Sequence, residues 1–432
     1  MRALLMIVAL VGTTSIATAN PFFLGRFSGL RSGPNDTGAF ATYWNPSNLH
    51  EPGVSIQLNV LGVRRYASYD RDAMLNGVPE SLDGVNAGTN EVNGRGVVPS
   101  LAARWATRLS DWQLGFGAAA FIDRSGVGVW DKTLGANSMY PGAVDGPQRF
   151  ATINTALYIL NAGTGFGLSY RPAHLAVGAT ILSHHASLSV ARARNPDNTD
   201  RVIDDAGRLA EGRILVDGAE DHTVSFILGA HWAPSTRLAL GASWHSGMDF
   251  DLEGPTQIVF GLSEPTRVTS RVALPIPSTF RIEGRIGVAE AWTLRPMFGY
   301  APWSVFENQT AINVDNDEVL LDQARNFNDL FIGRMVVDYE VRPEFLTLHG
   351  GVTFENGVTP NRNFDPGLAE SDNFEYAVGV TIDVTEHWRL TWMGSWQEFA
   401  DVTVTESVQV PTTNGDYTDR RLYVTVDVEY HL

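Results

Sequence analysis

The chain of 432 residues is 44% hydrophobic and only 18% charged, and it contains 21 Phe, 12 Tyr and 11 Trp. So much apolar and aromatic surface buries itself, which excludes a disordered protein. The formal net charge is −17, from 31 basic and 48 acidic side chains, so the chain lacks the basic surface that nucleic acids require. The absence of cysteine excludes disulfide scaffolds, cysteine-ligated zinc and thiol nucleophiles.

The first residues have the organisation of a secretory signal peptide. Arg2 supplies a positive charge, residues 3–12 are apolar, and the sequence ATA at 17–19 is a small-residue cleavage site. We therefore predict a signal peptide over residues 1–19, followed by the mature chain. The longest apolar stretch, residues 3–11, is far shorter than the roughly 20 residues that a membrane-spanning helix needs.

From residue 54 onward, apolar and polar residues alternate with a period of two. The last strand shows this pattern well, because Leu422, Val424 and Val426 alternate with Thr425 and Asp427. Such alternation predicts strands with one face against an apolar medium and the other against a polar one.

Short connections between these strands alternate with long ones. The six short connections are centred on residues 110–111, 172–174, 234–236, 289–291, 342–344 and 385–387. The seven long polar loops are predicted at about 67–100, 126–147, 195–222, 254–277, 307–327, 355–373 and 406–419. Six turns and seven loops connect fourteen antiparallel strands, with both ends of the barrel on the side of the tight turns. This layout is typical of an outer-membrane β-barrel whose tight turns are periplasmic.

A soluble β-sandwich or propeller is the alternative fold, since it also has short alternating strands. Two features favour the membrane barrel. The predicted strands run ten to fourteen residues, which is longer than usual in soluble sheets, and aromatic residues such as Trp292, Trp388 and Trp396 stand near strand ends, as in interfacial girdles. No repeat of 40 to 50 residues is visible, which argues against a propeller.

Residues 20–52 show no strand alternation and are rich in Gly, Pro and Asn. Their aromatic side chains, which include Phe22 and Phe23, make exposure to water unfavourable, because burying such a side chain contributes about 1.5–3 kcal/mol. We therefore predict that residues 20–52 form a plug in the lumen of a barrel over residues 53–432.

Several motifs resemble the FadL/TodX family of outer-membrane transporters for long-chain fatty acids and hydrocarbons. The sequence DTGAFATYWNPSNL at 36–49 is similar to the family signature ahead of the first strand and contains Asp36, Tyr43, Trp44, Asn45 and Pro46. The sequences LPIPSTF at 274–280, YAPWSVF at 300–306 and GVTFEN at 351–356 resemble further family motifs. The resemblance spans essentially the whole mature chain and implies the same fourteen strands.

The sequence departs from the family pattern at three points. Ser47 stands where alanine is usual, Asp36 lacks an acidic neighbour, and the chain ends in Leu432, where outer-membrane barrels normally end in phenylalanine. The last difference concerns how the barrel assembly machinery, an expected partner, reads this terminus.

The resemblance implies a passive transport mechanism. Apolar extracellular loops capture a hydrophobic molecule, a pocket in the upper barrel holds it, and it leaves sideways into the membrane through a kink in the third strand. Long-chain fatty acids are the favoured cargo, and aromatic hydrocarbons are the alternative. In the predicted loops, apolar clusters are typical of binding sites, and we expect Leu209, Leu215, Phe260 and Leu262 to bind cargo, together with Phe22 and Phe23.

The third strand contains LGFGA at 114–118, which is similar to the kinked strand of the family. Two glycines weaken a strand and often mark a bend, so Gly115, Phe116 and Gly117 are the candidate lateral gate. By alternation Arg281 and Arg334 face the lumen, and an arginine fork suits a carboxylate. They are our first candidates for the head group, although pairing with lumenal acids such as Glu283 is the alternative role.

No catalytic or cofactor site is predicted. The sequence lacks a Gly-x-Ser-x-Gly elbow, and Ser243 with His245 has no assigned acid, so we expect no enzyme activity. The acidic run at 315–318 lacks the oxygen spacing of a calcium loop, so we predict no metal site. The expected partners are hydrophobic small molecules and outer-membrane lipid, with a monomeric barrel. A water-filled general porin and a structural barrel remain alternative functions.

Overall fold

The computed structural model describes residues 26–72, 85–132, 144–261, 263–368 and 370–432, apart from the side chain of Asp123. The predicted signal peptide, residues 1–19, lies outside the described residues. Within the described ranges, no helix is long and apolar enough to cross a bilayer.

The strands pair in one continuous antiparallel sheet. Its nineteen segments in the described residues are β1 (Gly53–Arg71), β2 (Gly88–Leu109), β3 (Trp112–Val129), β4 (Asn154–Tyr170), β5 (Leu175–Arg194), β6 (Gly212–Ser235), β7 (Leu238–His245), β8 (Met248–Phe260), β9 (Thr266–Ile276), β10 (Thr279–Gly287), β11 (Trp292–Ala301), β12 (Asn308–Asn313), β13 (Val319–Ala324), β14 (Leu330–Arg342), β15 (Leu346–Glu355), β16 (Asn373–Asp383), β17 (Trp388–Phe399), β18 (Val402–Val404) and β19 (Gly415–His431).

These segments form fourteen wall strands, as the sequence predicts. Four wall strands are each interrupted once, so that β7 and β8, β9 and β10, β11 and β12, and β13 and β14 are halves of one strand, and β18 extends β17. The barrel closes where β19 pairs with β1, from Ser55 opposite His431 to Arg71 opposite Gly415. Closure matters because each unpaired backbone group in hydrocarbon costs several kcal/mol.

The tight turns lie where the sequence predicts them, but the long loops are shorter than predicted. For example, β8 and β9 occupy most of the predicted loop 254–277, and β6 runs for 24 residues. The predicted strand lengths of ten to fourteen residues are therefore wrong for much of the barrel. The reason is visible in β8, where the buried Met248, Phe250 and Leu252 face inward and the exposed Asp249 and Asp251 face outward.

Above the bilayer the wall thus has the opposite polarity to a membrane strand. Its outer face meets water, and its inner face encloses an apolar space. The sequence prediction assumes that the apolar face of every strand meets lipid. It therefore ends each strand too early, where the apolar residues turn to the inside of the barrel.

The outer face carries aromatic pairs at the rim of the tight turns. Trp112 lies beside Tyr170 with ring centroids 4.7 Å apart, Trp292 stacks on Tyr339 at 4.5 Å, and Trp388 lies beside Tyr430 at 4.7 Å. Amphipathic rings of this kind belong at the membrane–water interface. This rim therefore lies at a membrane–water interface. It is the periplasmic one, because the turns of outer-membrane barrels are short on the periplasmic side and long on the extracellular side.

Short helical turns occur inside the lumen and in the loops. They are Gly29–Arg31, Ala41–Trp44, Pro46–His50, Pro147–Phe150, Arg171–Ala173, Trp303–Val305 and Asn361–Asn363. The first three belong to residues 26–52, which lie within the barrel and are called the plug segment below.

Candidate functional site

The plug segment fills the periplasmic half of the lumen around an aromatic core. Phe27 stacks on Phe40 with ring centroids 4.5 Å apart, and Tyr43 meets Phe121 of the wall edge-on at 5.1 Å. Trp44 packs edge-on against Tyr43 and is 3% exposed. These aromatic contacts join the plug segment to strand β3.

The Asn45 side chain of the family-like motif bonds both to an earlier part of the plug segment and to the barrel wall. The Asn45 amide donates to the carbonyls of Pro34 (2.8 Å) and of Ala230 in the wall (3.0 Å), while its Oδ1 accepts from Ser47. Pro46 begins the following helical turn. Asn45 therefore satisfies buried carbonyls that would otherwise be costly, and this explains an asparagine before the proline.

Glycines in the wall provide the space in which the plug segment lies. A Cβ at Gly115 would overlap the Leu49 carbonyl, one at Gly117 would overlap the Thr42 hydroxyl, and one at Gly229 would overlap Asn45 Oδ1. Gly115 and Gly117, predicted as a lateral gate, thus sit in regularly paired strand and contact the plug segment. Phe116 points outward between Trp105 and Phe166.

Arg281 and Arg334, the predicted head-group residues, are also engaged with the plug segment. Arg334 donates to the Ser32 carbonyl (2.7 Å) and pairs with Glu283 (3.1 Å), and the guanidinium of Arg281 lies 5.1 Å from the centre of the Trp44 ring. Neither side chain lines the large cavity described next.

Asp36 completes this charged cluster. Its carboxylate lies 3.4 Å from Arg295, which is also 3.4 Å from Glu283. The alternation of polar and apolar residues correctly predicts that Arg281 and Arg334 face the lumen. Their contacts, however, are with the plug segment and with other charged residues of this cluster.

The extracellular half of the lumen contains a large apolar cavity. It holds about 1640 Å³ of empty space, counting the part open to solvent. Its lining comes from strands β1, β3, β4, β5, β6, β8, β9, β12, β13 and β19 and from connecting segments such as the turn at Trp303. The apolar lining includes Leu157, Ile159, Leu188, Val190, Ile214, Val216, Val272, Leu274, Trp303, Phe306, Leu320 and Leu321.

Arginines and one buried glutamate interrupt this apolar lining. Arg192 is 7% exposed and directs one nitrogen to Gln323, and its Nε has no hydrogen-bond partner among the described residues. Arg421 pairs with Asp419 (2.6 Å) and Glu370 (3.0 Å), and its Nη1 has no partner in the described parts of the chain. Arg281, Arg295 and Arg334 of the lower half also have such nitrogens. Arg192 and Arg421 differ from them because they line the cavity, where a guanidinium group suits an anionic ligand.

Glu370 belongs to the extracellular loop between β15 and β16 and is 4% exposed. Burial raises the pKa of its carboxyl to about 7, although the neighbouring Arg421 guanidinium acts in the opposite direction. The cavity therefore contains a carboxyl group whose charge changes near neutral pH.

Of the predicted cargo-binding residues, the three that the structure describes, Leu209, Leu215 and Phe260, do not line this cavity. Leu215 lies in β6 and faces outward, 37% exposed, whereas its neighbours Ile214 and Val216 line the cavity. Phe260 ends β8, and Leu209 lies in the preceding extracellular loop, bridged to Ile203. Phe22, Phe23 and Leu262 lie outside the described residues.

The wall has a break in its hydrogen-bond ladder between β2 and β3. The two strands pair only from Leu109 opposite Trp112 to Leu101 opposite Ala120. Above that level β2 pairs with β1 alone and β3 with β4 alone. The ladder resumes above the break, where the Asp131 N–H donates to the Glu91 carbonyl (3.0 Å). The unpaired stretch, residues 92–100 of β2 and 121–130 of β3, is called the window below.

A β-bulge bends the third strand at the lower edge of the window. Its pairing with β4 skips one residue between Ile122 and Arg124. The third strand is therefore irregular, as expected, but the irregularity lies six residues beyond Gly117. The inner side of the window opens on the cavity, since Arg124, Gly126 and Trp130 are part of the cavity lining.

Apolar side chains fill the window in this structure. Ile122, Val127 and Tyr158 pack on a cluster that contains Val98. Movement of these side chains would not break a ladder between β2 and β3, because none exists there. Pro99, which has no N–H to donate, is the sequence signal for this unpaired edge.

Comparisons with known proteins give one family and one fold. The family model described as outer membrane protein transport protein (OMPP1/FadL/TodX) matches residues 35–431. No curated protein matches the sequence.

Solved structures align over almost the full chain. The crystal structure of a Pseudomonas aeruginosa FadL homologue has a TM-score of 0.76 at 16% identity, covering 96% of this chain and 99% of that one. The Pseudomonas putida toluene transporter TodX gives 0.69 at 16% identity, covering 95% and 99%. The Ralstonia pickettii toluene transporter TbuX gives 0.64 at 13% identity, covering 96% and 99%.

Proposed function

This chain belongs to the OMPP1/FadL/TodX family of outer-membrane proteins that transport hydrophobic compounds, and we propose that its cargo is a long-chain fatty acid, taken up passively. The single observation that carries this proposal is the composition of the upper cavity. Its walls are largely apolar, and the guanidinium groups of Arg192 and Arg421 are part of the lining. An amphiphile with one carboxylate would match both features.

We place the head group at the arginines of the upper cavity. Arg281 and Arg334 were the first candidates from the sequence, but their side chains are committed to the plug segment and to Glu283. Arg192 and Arg421 replace them in the proposal. Leu209 and Phe260, at the extracellular end, are proposed to make the first contact with cargo. Leu262, Phe22 and Phe23 are also proposed to bind cargo.

Release runs sideways through the window between β2 and β3. The plug segment blocks the direct route to the periplasm, and the window is the place where the cavity adjoins an unpaired part of the wall. Only side-chain contacts hold the window shut, so opening it requires no loss of ladder hydrogen bonds. The bulge at Ile122 and Arg124, rather than Gly115 and Gly117, is the proposed gate.

An aromatic hydrocarbon is the second candidate cargo. Trp130, Trp303 and Phe306 line the cavity and could stack on a flat ring, and two of the similar solved structures are toluene transporters. A neutral ring, however, offers the guanidinium groups of Arg192 and Arg421 no anion to pair with. The barrel is proposed to act as a monomer that the barrel assembly machinery inserts.

Deleting Asp123 tests the route of release. Removing the extra residue of the bulge should let β3 pair with β2 above Ala120 and seal the window. In proteoliposomes we expect the variant to lose uptake of a radiolabelled C16 fatty acid while equilibrium binding of that acid is retained. Deletion of Asn316, in the tight loop between β12 and β13 and away from the window, is the control and should leave uptake intact. Unchanged uptake by the Asp123 deletion would refute lateral release.

Recordings in planar bilayers separate the transporter from a general porin. A transporter with a filled lower lumen should give no large open-channel current, whereas a water-filled porin should. Large steady currents from the intact protein would therefore overturn the proposal. A purely structural barrel is excluded if the purified protein binds the fatty acid.

A further inference from the structure

Two arginines on the outer face stand directly opposite each other at the extracellular edge of the membrane belt. Arg64 of β1 pairs in register with Arg95 of β2, and both side chains are exposed. Like charges in a directly opposed cross-strand pair are destabilising. In a protein with only 31 basic against 48 acidic residues, this pairing needs a compensating interaction.

The protein itself supplies little of that compensation. Among the described residues, neither Arg64 nor Arg95 forms an ion pair, and the contact of Arg64 is with the Tyr66 ring, 4.8 Å from its guanidinium carbon to the ring centre. A third outward arginine, Arg420 of β19, lies one step higher, opposite Tyr66. It differs from the pair because Glu398 (3.2 Å) and Asp401 (3.8 Å) neutralise it.

Apolar wall continues directly below the arginine pair. The next outward residues on β1 are Gly62, Val60, Leu58 and Ile56, opposite Val97, Pro99, Leu101 and Ala103 of β2. Val97, Leu58 and Ile56 are 46%, 43% and 47% exposed, which places them against acyl chains. Gly62 has no side chain, so a shallow groove leads down from the two guanidinium groups.

We propose that Arg64 and Arg95 bind the phosphate of a phosphorylated glycolipid in the outer leaflet, with its acyl chains along the wall of β1 and β2. A guanidinium fork donates two parallel hydrogen bonds to phosphate, and two forks can share one group. Tyr66 and Asn93, opposite each other just above, add polar groups at the level of the sugar. The bound lipid lies on β2, whose other edge borders the window.

Native mass spectrometry of the protein, extracted from outer membranes in mild detergent, tests this site. The intact protein should retain a lipid A-type glycolipid, and the double variant Arg64→Ala and Arg95→Ala should retain it at least about fivefold less. The matched control is Arg271→Ala, an outward arginine that Glu253 neutralises at 2.7 Å, and it should retain the lipid as the intact protein does. Equal retention by the double variant, or retention of phospholipid alone by the intact protein, would overturn the proposal.

Thermal unfolding in lipid-free detergent distinguishes a lipid site from a structural role. If the arginines serve the fold, the double variant should melt at a lower temperature. If they serve a lipid, removing their mutual repulsion should leave the melting temperature equal or higher, and only added glycolipid should favour the intact protein. A lower melting temperature in lipid-free detergent contradicts the proposal. The readout involves no transport, so it is independent of the cargo.

Discussion

The lower and upper halves of the lumen share the same wall strands but present opposite inner surfaces. In the lower half, glycines and buried charged groups such as Glu283 and Arg334 receive the plug segment. In the upper half, Ile159, Leu188 and Val272 face a space that no part of the described chain fills. The lower surface holds a segment of the protein itself, whereas the upper one borders an uncovered apolar space, which we propose to be the cargo site.

The difference also explains how the charges are used. The lower arginines Arg295 and Arg334 contact carbonyls and carboxylates of the protein, so they hold the plug segment in place. The upper arginines Arg192 and Arg421 line an apolar cavity, where we propose that they meet an anionic cargo.

The largest expected effect comes from emptying the lower half. Deleting residues 20–47 should turn a closed barrel into an open pore, because the plug segment is the material that fills the lumen below the cavity. Planar-bilayer recordings should show the conductance rising from background to that of a porin. A deletion variant with unchanged conductance would remove the plug from the mechanism.

Adding a side chain at one wall glycine that contacts the plug segment is a milder way to disturb the lower half of the lumen. Gly229→Val places a side chain where Asn45 Oδ1 lies, and overpacking of this kind costs about 1–3 kcal/mol. Heat-modifiability on gels should show a lower unfolding temperature. Planar-bilayer recordings should show ions leaking through the lumen, because the plug segment is displaced. Gly350→Ala, where nothing lies within 4 Å of the added carbon, is the control. If the unfolding temperature fell equally in both variants, close contact between Gly229 and the plug segment would not be the cause.

In the upper half, Arg192→Gln tests the head-group site. A hydrogen bond to a charged group contributes about 1.5–3 kcal/mol, so fatty-acid affinity should fall roughly ten- to a hundredfold. Isothermal titration should show this loss for a C16 acid and no loss for toluene. Arg271→Gln, on the outer face, should change neither affinity. A parallel loss of toluene binding would indicate damage to the cavity instead.

The smallest effect is a pH dependence from Glu370. Its pKa is raised to about 7 by burial, so it is mostly neutral at pH 6 and mostly charged at pH 8, where it repels a cargo carboxylate and occupies Arg421. Arg65 and Asp419 face the same group. Fatty-acid affinity should therefore fall from pH 6 to pH 8 by about 0.5–1 kcal/mol, the size of a screened charge pair. Glu370→Gln should flatten this dependence, and a steeper profile in that variant would contradict it.

The sequence predicts the barrel better than the site. Fourteen strands and six tight turns follow from the period of two, because hydrocarbon imposes that pattern on every membrane strand. The same pattern fails above the membrane, where Asp249 and Asp251 face water and Phe250 faces the cavity. The sequence prediction assigns these residues to loops, because their polar side chains face outward and their apolar side chains face inward, opposite to a membrane strand.

Which residues face the cavity depends on the register of the strands. The sequence prediction gives no register where it assigns a strand as a loop. Leu215 was expected to bind cargo, but a shift of one residue gives the cavity to Ile214 and Val216. Gly115 and Gly117 of β3 do mark a place where another part of the chain, the plug segment, packs closely against the strand backbone. The sequence alone does not distinguish such a contact from a bend in the strand. Pro99 marks the unpaired edge of β2, and its meaning depends on knowing which strands adjoin it.

Photo-cross-linking with a fatty acid that carries a diazirine near its methyl end tests most directly whether cargo occupies the upper cavity. After irradiation of the intact protein and digestion, mass spectrometry should find the label on peptides containing Ile159, Ile214 or Val272, and an excess of unlabelled fatty acid should prevent it. Label confined to outward-facing residues such as Phe226 and Phe298 would show that the acid meets only the lipid-facing wall, and would contradict the account.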